Sequence, residues 1–194
     1  NMDCVEVQIP DGVTQLKAEA FQNCISLERV QIPNTCQTFG ASVFEGCKLL
    51  TQINLPDGVT ELPEKAFYEC ISLKKLDLPQ SVERIGAQAL KNCSSLVDFA
   101  LPTQIHTLDK EALYHCGFNH GEKPEDEWGY SFRECTLPET LQKISSAGDT
   151  MFAQYAAAQD QFGVFEYKIK LRVVKGSTAH KYAVKHHIRF TFME

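Results

Sequence analysis

The sequence predicts an α/β solenoid. Coils of 23 residues stack with right-handed crossovers, one parallel sheet on one side and short helical turns on the other. Three observations carry this expectation. Pro10, Pro33, Pro56, Pro79 and Pro102 stand 23 residues apart. Cys24, Cys47, Cys70, Cys93 and Cys116 keep the same step. So do two apolar registers: Leu16, Phe39, Leu62, Ile85, Leu108, and Phe21, Phe44, Phe67, Leu90, Leu113, the second always preceded by Ala or Val. Units of this size cannot bury an apolar face alone, so they bury it against their neighbours.

Each element of the coil follows from its residues. The strand comes from the pattern Leu27, Val30, Ile32; Leu50, Ile53, Leu55; Leu73, Leu76, Leu78; Leu96, Phe99, Leu101. Its last two apolar positions alternate with polar ones, the period of a half-buried strand. Cys4, Val7 and Ile9 open the series. The proline ends each strand because it cannot donate to a ladder. Asp11-Gly12 and Asp57-Gly58 then turn the chain. A stretch such as 17–24 (KAEAFQNC) suits a helical turn or two, with Ala20 where coils approach and Phe21 filling the interior. Strands would lie about 4.8 Å apart in a parallel sheet, joined by right-handed crossovers.

This is the pattern of a leucine-rich-repeat solenoid. The recurring L-x-x-V-x-I-P, the Val and Leu after it, the Ala-Phe pair and the Cys resemble BspA-type leucine-rich repeats, with Pro56 to Leu78 the best copy. The resemblance covers residues 4 to about 116 well, and Cys135 to Ile144 more loosely. It implies a non-catalytic protein-binding module of the kind found on bacterial and parasite surfaces, several of them adhesins.

The period then breaks. Cys24 to Pro33 is nine residues, whereas Cys116 to Pro138 is 22, so thirteen are inserted. A single domain over 1–194 is therefore divided into five regular repeats (1–116), an aromatic and acidic insertion (117–134), a sixth partial repeat (135–144) and a cap (145–194). The insertion holds Phe118, Trp128, Tyr130 and Phe132, candidate anchors for a partner, since loops carry function and aromatics dominate interface energetics. The plainer reading is that they cover the end of the core. In the cap, Thr150 to Gln161 reads as a helix, Val164 to Val174 as a strand, Gly176-Ser177 as a turn, Thr178 to His186 as a short helix and Ile188 to Phe192 as a last strand. The run Val174 to Ala179, with Tyr182-Ala183, is similar to the closing segment of BspA-type domains.

The eight cysteines all fall at core registers, so a ladder of reduced thiols is expected rather than disulfides. Such thiols suit a reducing or anaerobic setting. His115, Cys116, His120 and Cys135 match no zinc spacing. No phosphate loop, dinucleotide fingerprint, nucleophile elbow or H-E-x-x-H motif occurs, and Asn92-Cys93-Ser94 is a sequon buried in the repeat. No enzyme activity, cofactor or metal is therefore expected.

Surfaces remain. The residues alternating with the core should line the concave sheet face: Glu6 and Gln8, Arg29 and Gln31, Gln52 and Asn54, Lys75 and Asp77, Asp98 and Ala100, Glu134 and Thr136. Arg29, Gln31, Gln52, Asn54, Lys75, Asp77 and Asp98 are the candidate binding set there. The set is polar and lacks aromatics, which argues against stacking of sugars or single-stranded nucleic acid. A net charge of -6 disfavours nucleic acid in general, and no apolar run is long enough to span a membrane. The partner is then a protein or cell-surface ligand. The alternatives are a structural spacer of a larger surface protein, or a small intracellular scaffold. Location is secreted or cell-surface by resemblance, and cytoplasmic if Met2 is a true start.

Overall fold

The computed structural model describes residues 4–96, 100–116, 133–145, 169–186 and 188–193. Two parallel ladders run along the stack. The first joins β1 (Glu6–Gln8), β3 (Arg29–Gln31), β5 (Gln52–Asn54) and β7 (Lys75–Asp77) in chain order. The second is made of two-residue strands. In it β2 (Gln15–Leu16) pairs β4 (Thr38–Phe39), and β6 (Glu61–Leu62), β8 (Arg84–Ile85), β9 (Thr107–Leu108) and β11 (Lys143–Ile144) form one sheet. Every pairing is offset by the repeat. Gln52 faces Lys75 and Leu62 faces Ile85, each 23 residues on.

The repeat registers meet in one core. Leu50, Ile53, Val59, Leu62, Phe67 and Cys70 are buried in the third coil, and their counterparts in the fourth are equally buried. Each such aliphatic or aromatic side chain contributes about 1.5–3 kcal/mol through burial. Phe21, Phe44 and Phe67 stack at centroid spacings of 5.3 and 5.4 Å, the rise from coil to coil.

The segment expected as helical turns forms a run of turns instead of a helix. Glu19, Ser42, Lys65, Gln88 and Glu111 have positive φ, and so do Asn23, Gly46, Glu69, Asn92 and His115. Two left-handed residues four apart break the helix, and the freed N–H groups point to the next coil. Phe21 donates to the Val43 carbonyl, Phe44 to Ala66, Phe67 to Ala89 and Leu90 to Ala112, all at 2.8–2.9 Å. Intervening residues close local bonds, such as Cys70 N–H to the Phe67 oxygen at 3.1 Å. This backbone ladder is a third line of attachment between coils. It outweighs the helix propensity of residues such as Lys, Ala and Glu, because it satisfies buried backbone groups in every copy.

The thiol ladder has a second role. Cys47, Cys70 and Cys93 donate their S–H to the carbonyls of Phe21, Phe44 and Phe67 in the preceding coil, each at 3.1 Å. All eight cysteines are free. Not all are buried, however. Cys4 is exposed, and Cys24 and Cys135 are half-buried. Cys4 lies before β1, where no described coil covers it.

Near the C-terminus, β10 (Arg133–Thr136), β12 (Ile169–Val173) and β13 (Arg189–Phe192) form a parallel sheet. Between the last two lies the helix α1 (Thr178–Lys185), whose N-terminus is capped by the Ser177 side chain accepting from the His180 N–H. The turn, helix and last strand expected there are thus present. The helix expected at Thr150 to Gln161 lies outside the described residues, as does Val164 to Lys168 of the expected strand. Across the inserted segment the stack resumes in register: Thr140 Oγ1 donates to the Thr103 and Ile105 carbonyls at 2.6 and 2.8 Å, and Lys143 pairs with Thr107.

Candidate functional site

The two-residue period of the strands sorts side chains cleanly. In β3, β5 and β7 the central residue is buried and its neighbours are exposed. Arg29, Gln31, Gln52, Asn54, Lys75 and Asp77 therefore stand on one open face, with Glu6 and Gln8 beside them. The register brings Arg29, Gln52 and Lys75 into one row across three strands. A shallow depression of about 280 Å³ lies over the first three strands. Glu6, Arg29, Gln31, Gln52 and Asn54 form its walls, and Val30 and Ile53 are its buried floor.

Electrostatically the face is mixed and loosely tied. Arg29 Nη2 lies 3.8 Å from Glu6 Oε2, with the two side chains 56% and 48% exposed. Gln31 Nε2 reaches Glu6 Oε1 at 3.5 Å. Lys75 Nζ meets Asp77 Oδ2 of its own strand at 3.0 Å, again well exposed. Such pairs contribute about 0–1 kcal/mol each, so a ligand can exchange them at little cost.

The second sheet behaves differently. Asp109 accepts from Arg84 Nε and Nη2 at 2.9 and 2.6 Å and from Lys143 Nζ at 3.4 Å, while Arg84 Nη1 reaches Glu61 at 3.1 Å. In the turn runs, Lys91 Nζ likewise donates to Glu111 at 2.7 Å and lies 4.9 Å over the Tyr114 ring. These charges are already engaged with one another and serve to bind coil to coil.

The turn entering the concave strands carries a feature that the sequence reasoning passed over. Ile25, Leu49 and Ile71 are 43–47% exposed in three successive coils. The signal was present: a large apolar residue one or two positions after Cys24, Cys47 and Cys70. Of the expected site residues, Asp98 and the insertion set Phe118, Trp128, Tyr130 and Phe132 lie outside the described residues. Among the described residues no group of three or more His, Cys, Asp or Glu could hold a metal ion, and no helix is long and apolar enough to cross a membrane.

Comparison with known proteins agrees with this architecture. The family model "BspA type Leucine rich repeat region" matches residues 1–119 in six copies. A leucine-rich-repeat protein of T. pallidum is 30% identical with a TM-score of 0.58, over 70% of this chain and 59% of that one. A leucine-rich cell surface protein of Faecalibacterium prausnitzii is 31% identical with a TM-score of 0.58, over 60% of this chain and 31% of that one. A leucine-rich-repeat protein of Bacteroides ovatus, 19% identical, shares the fold over 97% of this chain and 60% of its own (TM-score 0.52). The chain thus spans less than two thirds of each of these proteins. No curated protein matches it. The 23-residue coil, its proline-ended strands and the family match over residues 1–119 together show that the chain belongs to the BspA-type leucine-rich-repeat family.

Proposed function

We propose that this chain is a non-catalytic protein-binding module that works at a cell surface and captures its partner on the concave face. One observation carries the reading: a row of exposed polar side chains over a buried apolar floor, whereas charges of the second sheet converge on the largely enclosed Asp109. Arg29, Gln31, Gln52 and Asn54 offer several donors and acceptors that stay in place because their strands are held on both sides. That preorganisation reduces the ordering cost of binding. A cell-surface setting is supported by the F. prausnitzii relative, itself a cell surface protein. The insertion 117–134 supplies a second candidate contact through Phe118, Trp128, Tyr130 and Phe132, with residues 1–194 acting as one domain.

The test is a capture panel of matrix proteins, mucins, glycans and cell lysate. Wild type is compared with a Gln31→Ala/Gln52→Ala/Asn54→Ala variant and with one whose 118–132 segment is replaced by a Gly-Ser linker. Specific capture lost in the triple variant supports the concave site. Loss only in the linker variant moves the site to the insertion. No capture by folded wild type favours a structural spacer and refutes the reading.

A further inference from the structure

We propose that the C-terminal cap is a docking surface for an anionic lipid bilayer, on which the solenoid stands by that end. The net charge of -6 conceals a sharp division. Residues 167–193 hold seven Lys and Arg and no Asp or Glu, whereas residues 1–166 hold 12 against 24, a net of -12. Part of this positive charge surrounds exposed apolar groups. The helix α1 buries Ala179, Tyr182 and Ala183. Its other face presents Lys181, Val184 and Lys185, neighbours on the helix surface at three- and four-residue spacing. Val184 is 54% exposed and lies one turn beyond His180. The His180 ring meets that of Phe192, itself 47% exposed, at 5.1 Å. Exposed Lys175 stands at the turn, where the Gly176 N–H donates to His180 Nδ1 at 3.0 Å. Arg172 is exposed on β12. Among the described residues, no ion pair involves Arg172, Lys175, Lys181 or Lys185.

The combination selects the occupant. A nucleic acid or another soluble polyanion engages the cations but has no use for an exposed valine. A bilayer interface engages both: anionic headgroups attract Lys and Arg, and the apolar side chains enter the boundary beneath them. Lysine stems lie along that boundary with their ammonium groups in water. The acidic remainder of the chain fits an end-on contact. Its net charge of -12 opposes lying flat on a negative surface. Held upright, it is largely screened, because charges farther than about 8 Å from the surface interact weakly with it at physiological salt and each coil adds about 4.8 Å. The contact is peripheral, since no helix among the described residues is long and apolar enough to cross a membrane. It leaves the concave face of the first coils turned toward solvent.

Co-sedimentation of the full chain with vesicles tests this. One set contains phosphatidylglycerol and phosphatidylcholine in equal parts, the other phosphatidylcholine alone. The chain should bind the anionic set, fail to bind the neutral one, and dissociate as salt rises. Lys181→Gln/Lys185→Gln should weaken binding about 25-fold, roughly five-fold per lysine. Lys17→Gln/Lys48→Gln removes the same charge from exposed positions on the solenoid and should leave binding unchanged. Val184→Ser should weaken it about three-fold. All these positions are exposed, and circular dichroism verifies the fold of each variant. Absence of binding overturns the proposal, as does equal binding to the neutral vesicles. Equal losses in the two double variants, or binding insensitive to Val184→Ser, overturn it too. Displacement by soluble glycerol phosphate would make the patch a site for the free headgroup anion. Tighter binding of a single-stranded DNA oligonucleotide would make it a polyanion site. Either result refutes bilayer docking. Capture on the concave face is measured separately and stands or falls on its own panel.

Discussion

The left-handed positions give the sharpest quantitative expectation. Gly46 has φ +72°, and the same place in other coils holds Asn23, Glu69, Asn92 and His115, all with positive φ. The residue N–H there must bond to the next coil: Gly46 donates to the Tyr68 carbonyl at 2.8 Å and Glu69 to that of Lys91 at 2.9 Å. The φ therefore cannot relax without losing the ladder. Gly46→Ala adds a Cβ in a conformation that costs about 1–2 kcal/mol. That Cβ also meets the Asn23 side chain, which is exposed at its own position and able to turn away. The substitution should destabilise by about 0.5–1.5 kcal/mol net, because the alanine's smaller unfolded-state entropy offsets roughly 0.5 kcal/mol of that cost. Glu69→Asn should act oppositely. Asparagine tolerates this region, and coils one and four already use it, so a gain of about 0.5 kcal/mol is expected. Urea unfolding followed by far-ultraviolet circular dichroism measures both, with the slope checked because repeat arrays can lose cooperativity. A neutral Gly46→Ala, or a Glu69→Asn as damaging as Gly46→Ala, would mean that backbone strain in this ladder is negligible and the argument wrong.

Other expectations follow from the same coils. Phe67→Ala should cost about 3–5 kcal/mol, because the ring is 1% exposed and stacked on Phe44, while Phe67→Leu should cost under about 1.5 kcal/mol, since Leu90 and Leu113 fill the same register; equal losses on denaturation would contradict the stack. Burial pushes the Cys47 thiol up to about 12 and those of Cys70 and Cys93 higher than usual. Ellman's reagent should therefore modify exposed Cys4 quickly and these three only on unfolding; reaction of the three at the rate of Cys4 would refute the ladder. The Lys91 ammonium, helped by Gln88, holds the Glu111 carboxyl below its ordinary value of 4.5. The stabilisation this implies is present above that value and is lost as pH falls through the lower folded one. Glu111→Gln should flatten the stability profile in that acid range and leave its shape at neutral pH unchanged. A profile of unaltered slope would show the pair to be inert.

Much of the concave face was legible because period 2 within a strand and period 23 along the chain are independent, and together they fix both facing and register. Pro33 and Pro56 mark strand ends by chemistry alone. The side opposite was less legible, and the reason is physical. The stretch 63–70 (PEKAFYEC) contains good helix formers, and intrinsic propensity favours a helix there. What decides the outcome is the neighbouring coil, which offers acceptors at every second residue. That is a tertiary bond invisible in one copy. The trace it leaves is the Asn, Gly, Glu, Asn, His series at positions 23, 46, 69, 92 and 115, where two asparagines and a glycine mark a positive φ. The second sheet was missed because strands of two residues are too short to alternate.

The same logic separates function from framework on the two sides of the coil. Where Arg84, Asp109, Glu61 and Lys143 interlock, a mutation removes a charge that another charge depends on, with Asp109 only 13% exposed. Where Arg29 and Lys75 stand on the concave strands, their partners Glu6 and Asp77 are themselves exposed. Arg84→Gln should therefore lower stability more than Arg29→Gln, because it removes two of the hydrogen bonds that the largely enclosed Asp109 carboxylate accepts. In the capture panel the order should reverse. If both arginines affect stability and binding alike, the division of labour between the two sheets fails, and with it the ground for placing the partner on the concave face.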